Sequence, residues 1–67
     1  MIPAYDIFEI LSNGIRWIQA VETLDSAQAG VAELADAKPT EYMIVNQRTG
    51  IKIRVSVRDG GGVTFGA

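Results

Sequence analysis

The sequence contains no cysteine and no histidine. Without cysteine there is no disulfide and no thiolate, and without histidine the chain lacks the commonest general base and the imidazole ligand of many metal sites. A domain of 67 residues buries only about 60% of the surface that its unfolded chain exposes, so domains of this size usually gain stability from a disulfide, a metal or a second subunit. The sequence therefore favours oligomerisation as the support for this fold.

Long apolar segments are absent as well. No part of the chain approaches the roughly 20 consecutive apolar residues that span a bilayer, and its first residues, MIPAYDIFEI, have no basic region typical of a signal peptide. Eight carboxylates against six cations give a net charge of −2, which argues against bulk affinity for DNA. We expect a small cytoplasmic protein, of a size common in bacteria, that makes no contact with a membrane.

The first third of the chain predicts a β-hairpin. Residues 5–11 (YDIFEIL) and 15–22 (IRWIQAVE) have the β-branched and aromatic composition of strands. Asn13-Gly14 between them is a strong signal for a two-residue turn, because both residues tolerate positive φ.

A helix is predicted over residues 24–37. Thr23 is a suitable N-cap, and Pro39 ends the helix. The apolar residues of this segment recur with helical spacing and would form one stripe; they are Ala27, Val31, Leu34 and Ala35.

Two further strands, EYMIVNQ and IKIRVSVR, complete the predicted fold, and Thr49-Gly50 between them suggests a type I turn closed by a glycine bulge. We predict one α+β domain over residues 1–58, with the order ββαββ, a four-stranded antiparallel sheet made of two hairpins, and the helix on one face. The strand orders 2-1-3-4 and 1-2-4-3 both agree with this pattern. Residues 59–67 are rich in glycine and are predicted to be a flexible tail.

The segments YDIF, TLDSAQAGVAEL, PTEYMIVNQRTG and IKI, together with Trp17, resemble a group of short, uncharacterised bacterial proteins. The likeness extends over nearly the whole chain apart from the glycine tail. The shared motifs are turns and caps rather than reactive groups. The resemblance therefore implies the ββαββ order and no activity.

The alternation of the strands predicts which side chains the single helix leaves uncovered. In the second hairpin, the expected core face consists of Met43, Val45, Ile51, Ile53, Val55 and Val57. The opposite face would hold Tyr42, Ile44, Asn46, Lys52, Arg54, Ser56 and Arg58. In the first hairpin, Ile7, Leu11, Ile18 and Ala20 suit the space beneath the helix. That choice leaves an open face with Phe8, Ile10, Ile15, Trp17 and Val21.

The open face is the predicted interaction site, and it consists of Phe8, Ile10, Trp17, Tyr42, Ile44, Lys52 and Arg54. Exposed apolar patches of this kind generally mark interfaces. The leading hypothesis is a homodimer that buries this face, with rim contacts from the cations to Asp6 or Glu9. The alternative is single-stranded RNA, whose bases would stack on the aromatic side chains while Lys52 and Arg54 hold phosphates. Strand alternation alone also accounts for the outward position of the cations.

Enzymatic chemistry is not indicated by any motif. No serine has the G-x-S-x-G context of a nucleophile, and no carboxylates form a recognisable acid–base pair. The segment DGGGVTFG lacks the Lys-Ser/Thr and the following helix of a phosphate-binding loop. We predict a non-enzymatic module without catalytic residues, cofactor, metal or small-molecule substrate.

Overall fold

The computed structural model describes residues 4–57 and 63–66, and within these residues the fold is α+β, with one helix and a five-stranded antiparallel sheet. The elements are β1 (Tyr5–Leu11), β2 (Gly14–Val21), α1 (Leu24–Ala37), β3 (Glu41–Asn46), β4 (Lys52–Val57) and β5 (Val63–Gly66). The strand order is β2-β1-β3-β4-β5. It extends one of the two predicted orders, 2-1-3-4, by a fifth strand.

The fifth strand corrects the prediction of four. β5 lies antiparallel to β4, with Val55 opposite Phe65 and Val57 opposite Val63. Val63 and Phe65 pack against the core, so a short apolar alternation was hidden in a glycine-rich segment. Arg58, residues 59–62 and Ala67 lie outside the described residues.

The helix has the predicted bounds and cap. Thr23 has an extended backbone, and its Oγ1 accepts a hydrogen bond from the Ser26 amide at 3.1 Å. At the other end, the Lys38 amide donates to the Leu34 carbonyl at 2.7 Å. Ala27, Val31 and Ala35 form the buried stripe. The helix α1 has 14 residues. Among the described residues, no helix is long and apolar enough to cross a membrane.

The first hairpin keeps the predicted faces over most of its length. Leu11 pairs with Gly14, so the turn residues are Ser12 and Asn13 rather than the predicted Asn13 and Gly14. The turn is therefore one residue earlier in the chain than predicted, and Ile10 pairs with Ile15. A bulge near Ile18 then exchanges the two faces at the far end of β2, because it adds one residue to that strand. Ala20 consequently lies on the open face, while Val21 packs against the core.

The second hairpin differs from the prediction in the faces of β3. The Asn46 amide donates to the Ile51 carbonyl at 2.9 Å, so four residues, rather than the predicted tight turn, connect the pair. Asn46 Oδ1 accepts from the Arg48 amide at 2.9 Å and stabilises this loop. A change of one residue in register moves every side chain of a strand to the other face. The strand β3 is therefore inverted relative to the prediction, while β4 faces as predicted.

The core lies between α1 and one sheet face, and its buried apolar residues are Ile7, Ala27, Val31, Ala35, Tyr42, Ile44 and Val55. Tyr42 and Ile44 were predicted on the open face and are instead 1% and 0% exposed. Conversely, Met43 and Val45 were predicted in the core and lie opposite Arg54 and Lys52 on the other face. Ile51, also predicted in the core, is 57% exposed beside the loop.

Candidate interaction surface

The sheet face directed away from α1 is called the open face, and in the described part of the chain no element packs on it. The strand registers place the following side chains there: Asp6, Phe8, Ile10, Ile15, Trp17, Ala20, Glu41, Met43, Val45, Lys52, Arg54, Ser56, Thr64 and the position of Gly66. Its composition changes across the sheet. Apart from Asp6, it is apolar on β2, β1 and the middle of β3, and it is polar or cationic on β4 and β5.

The apolar part of the open face includes two of the most exposed large hydrophobic residues. Trp17 is 56% and Ile15 is 60% exposed. Phe8 lies opposite Trp17 on β1, and it also lies opposite Met43 on β3. Apolar side chains therefore continue from the β2 edge to the central strand. A contiguous patch of this kind generally marks an interface.

A carboxylate fixes the largest side chain of this patch. Asp6 Oδ1 accepts a hydrogen bond from Trp17 Nε1 at 3.2 Å and another from Gln47 Nε2 at 3.1 Å. The indole nitrogen is thus satisfied within the chain, while more than half of the residue remains exposed. The exposed apolar part of Trp17 is presented by a side chain that is held in place before any partner binds.

The cationic part of the open face lies two strands from Phe8. Arg54 Nη2 is 2.7 Å from Glu41 Oε2, and both side chains are exposed. An exposed pair of this kind stabilises a protein by about 0–1 kcal/mol. Lys52 lies opposite Val45, and the ion pairs formed within residues 4–57 and 63–66 do not include it.

Five of the seven predicted site residues lie together on the open face: Phe8, Ile10, Trp17, Lys52 and Arg54. Tyr42 and Ile44 do not. The Tyr42 hydroxyl instead donates to the carbonyl oxygens of Lys38 at 2.7 Å and Leu34 at 3.2 Å, and so completes the C-terminal end of α1.

Sequence reasoning missed the contribution of Met43 and Val45 to the open face. The signal that could have found them is Asn46, whose side chain favours a local turn at the end of β3. Such a turn lengthens the loop and reverses the register of the strand.

A second group of charged residues lies on the helix side of the sheet, around Glu9. This carboxylate is 1% exposed. Its oxygens lie 2.9 Å from Arg16 Nη2 and 3.0 Å from Lys38 Nζ, and they accept a hydrogen bond from Thr40 Oγ1 at 3.2 Å. The cluster joins β1, β2 and the residues after α1. Glu9 therefore cannot supply the predicted rim contact to the cations of the open face.

The environment of Glu9 favours its charged form. The hydrogen bond from Lys38 is the largest cause that lowers the pKa of this carboxyl; burial opposes it, and Thr40 and Arg16 add to the lowering. Among the described residues, no buried side-chain polar atom lacks a hydrogen-bond partner. The Glu9 cluster is thus a satisfied contact that fastens the end of the helix to the sheet.

A shallow cavity of about 390 Å³ lies near the start of α1. It is lined by Ala4, Tyr5, Glu22, Thr23, Leu24, Asn46 and Arg48. Its two charged side chains have opposite signs, which gives it no preference for a ligand of one charge. Within residues 4–57 and 63–66, no three acidic side chains are grouped as a metal site would require.

No protein-family model, curated protein sequence or solved structure matches the chain. The open face is therefore the feature of the molecule that bears on its function.

Proposed function

We propose that the chain is a non-enzymatic interaction module that forms a homodimer by burying its open face against a second copy. The observation that carries this proposal is the apolar patch across β2, β1 and β3, in which Trp17 and Ile15 are more than half exposed. Burial of apolar surface contributes about 25 cal/mol per Å². Two of the three exposed large hydrophobic side chains of the described residues, Trp17 and Ile15, belong to this patch.

A second copy would complete the architecture of the sheet. An antiparallel sheet with one face under a helix and an apolar opposite face needs a second layer on that side. Two sheets stack face to face at a separation of about 10 Å, and their inward side chains interdigitate. A dimer of this type would also supply the support that a small domain without cysteine or histidine lacks.

The open face is less suited to single-stranded RNA. The burial of Tyr42 leaves Phe8 and Trp17 as the aromatic side chains of this face within the described residues. The carboxylates of Asp6 and Glu41 lie on the same face, and Glu41 already pairs with Arg54. Base stacking needs phosphate-binding cations close to the aromatic rings. Here the two kinds of side chain are on strands separated by β3.

The proposal is tested by a charge placed within the apolar patch. Trp17→Asp removes the most exposed aromatic ring and introduces a second carboxylate beside Asp6, so it should convert the dimer to monomers. Ile51→Asp is the matched control, because Ile51 is 57% exposed but lies off the open face. Size-exclusion chromatography with light scattering should show the dimer for the control and monomers for Trp17→Asp.

The dimer and the RNA hypotheses predict different effects for substitutions of the cations. The combined change Lys52→Ala and Arg54→Ala should weaken the dimer less than Trp17→Asp does, since each exposed charge contact contributes only about 0–1 kcal/mol. Strong, salt-dependent binding of a single-stranded oligonucleotide that this double change abolishes would favour the RNA hypothesis. A dimer that persists in Trp17→Asp would remove the open face from consideration as its interface.

A further inference from the structure

One transverse row of the open face crosses all five strands. In strand order it consists of Trp17, Phe8, Met43, Arg54 and Gly66, each directly opposite the next. The row begins with the largest side chain at the β2 edge and ends with no side chain at the β5 edge. Its middle residue, Met43, lies on β3, the central strand of the sheet.

The open face has no side chain at Gly66, and this gap in the row is called the notch. Apart from the glycine and its chain neighbours, no atom of the described chain lies within 4 Å of the position that a Cβ would take there. The neighbouring residue of the row is Arg54, whose guanidinium is drawn towards Glu41. The notch is therefore open to a side chain from outside the molecule.

We propose that the two-fold axis of the dimer lies between the two open faces and runs parallel to β3, directly above it. In this arrangement Trp17 of each copy fills the notch above Gly66 of the other copy. This inference rests on the proposed function, because it specifies how the two open faces meet. Rotation by 180° about this axis places the row of one copy over the same row of the other copy, with the order of its residues reversed. The strand β2 then covers β5 of the second copy, β1 covers β4, and β3 covers β3.

The reversed row is complementary at every position. Trp17 lies over a position without a side chain, and Phe8 lies over an arginine, a pairing that allows a cation–π contact. Met43 meets its own counterpart, and methionine adapts its shape to such a contact. The interface is isologous, as a two-fold axis requires, so each contact occurs twice.

The charges in the adjacent row of the open face favour the same axis. It contains Asp6, Val45 and Lys52 on β1, β3 and β4. Reversal about β3 places the carboxylate of each copy over the ammonium group of the other, with valine on valine between them. Side-chain size in the first row and charge in the second row thus both favour an axis over the central strand. The same rotation brings Glu41 of β3 near its own counterpart, and the charge of Glu41 is offset by its ion pair with Arg54.

The other symmetric arrangement lacks this complementarity. An axis at right angles to the strands would keep β2 over β2 and β5 over β5. Where such an axis runs along this row, it would set Trp17 against a second tryptophan, Arg54 against a second arginine, and the notch at Gly66 against another notch. Both the bulk and the charge would be mismatched at the two edges.

The test uses Gly66→Leu and Trp17→Ala, separately and mixed. Gly66→Leu fills the notch in both copies and should raise the dimer dissociation constant on the order of 100-fold, because overpacked contacts are costly and two occur per dimer. Trp17→Ala empties both contacts and should also weaken the dimer. Ala32→Leu is the control, since it adds an apolar side chain on the exposed surface of α1 and should leave the dissociation constant unchanged.

Mixing the two weakened variants distinguishes the arrangements. With the axis along β3, the mixed dimer has one native contact and one in which the new leucine occupies the space left by the tryptophan. It should therefore form more tightly than either variant alone, as measured by native mass spectrometry of the mixture. A mixed dimer no tighter than the stronger homodimer would overturn this axis while leaving the dimer itself intact.

Two further outcomes are distinguishable from these. A wild-type protein that stays monomeric contradicts the proposed function, and the axis with it. Circular dichroism should show that Gly66→Leu keeps its fold, because its side chain enters open space. If that variant does not fold, Gly66→Ala replaces it, and a dissociation constant unchanged by the added methyl group would count against the notch.

Discussion

The two faces of the sheet are formed by the same strands and differ in what completes them. On the helix side, Ile7, Ile44 and Val55 are fully buried, and the one buried carboxylate, Glu9, is fully partnered within the described residues. On the open face, Trp17 and Ile15 are more than half exposed. Alternation gives every strand two faces, while one helix of 14 residues covers only one of them. The exposed apolar surface therefore follows from the fold, and the proposed dimer would cover it.

The largest effect should separate two neighbouring residues of β3. Ile44→Ala removes a fully buried side chain and should lower the free energy of unfolding by about 2–5 kcal/mol. Met43→Ala, one position away on the open face, should cost less than half as much in the monomer but should weaken the dimer. Urea denaturation at a concentration that keeps both variants monomeric provides the comparison. A larger cost for Met43 would mean that β3 has the opposite register.

The next effect concerns the charged cluster on the helix side. The lowered pKa of Glu9 means that the unfolded chain takes up a proton first as the pH falls. Its contribution to stability is therefore complete above the ordinary pKa of 4.5 and is lost as the pH falls through the lower value of the folded state. Glu9→Gln should remove this part of the acid dependence and should destabilise the protein at neutral pH.

The control for that change is Glu33→Gln, which alters an exposed carboxylate of α1. Unfolding free energies measured from neutral to acidic pH should follow the wild-type curve for the control and a flatter curve for Glu9→Gln. Identical pH curves for Glu9→Gln and the wild type would show that the cluster does not hold the helix to the sheet.

A smaller effect should follow from the hydroxyl group that completes α1. Tyr42→Phe removes the hydrogen bonds to the carbonyls of Lys38 and Leu34, which should cost about 0.5–1.5 kcal/mol. Tyr5→Phe is the control, because the Tyr5 hydroxyl makes no hydrogen bond within residues 4–57 and 63–66. Thermal unfolding of both variants should rank Tyr42→Phe as the less stable. The reverse order would mean that the helix end is not secured by Tyr42.

Local signals in the sequence were sufficient for α1 and for much of the first hairpin. The cap at Thr23 and the stripe of Ala27, Val31 and Ala35 depend on neighbouring residues, and both are present as predicted. The outward positions of Phe8 and Trp17 also agree with the prediction, because the shift of the turn left the relative faces of β1 and β2 unchanged.

Features that depend on register or on distant pairing were not predictable in this way. The inversion of β3 follows from the length of a loop fixed by Asn46, and one extra residue there exchanges Tyr42 with Met43. The position of Gly66 opposite Arg54 requires β5, whose residues have the composition of a tail. The polar partners of Glu9 come from β2 and from the segment after α1, far from Glu9 in the sequence. None of these leaves a periodic signal in the sequence.

The most direct test of the open face as a dimer interface is the solution mass of the wild-type protein over a wide range of concentration. Sedimentation equilibrium should give a mass that rises with concentration from the 7.2 kDa of the single chain towards twice that value, and Trp17→Asp should stay at the lower value throughout. A wild-type mass of 7.2 kDa at every concentration, with the indole emission of a solvent-exposed tryptophan, would contradict the account.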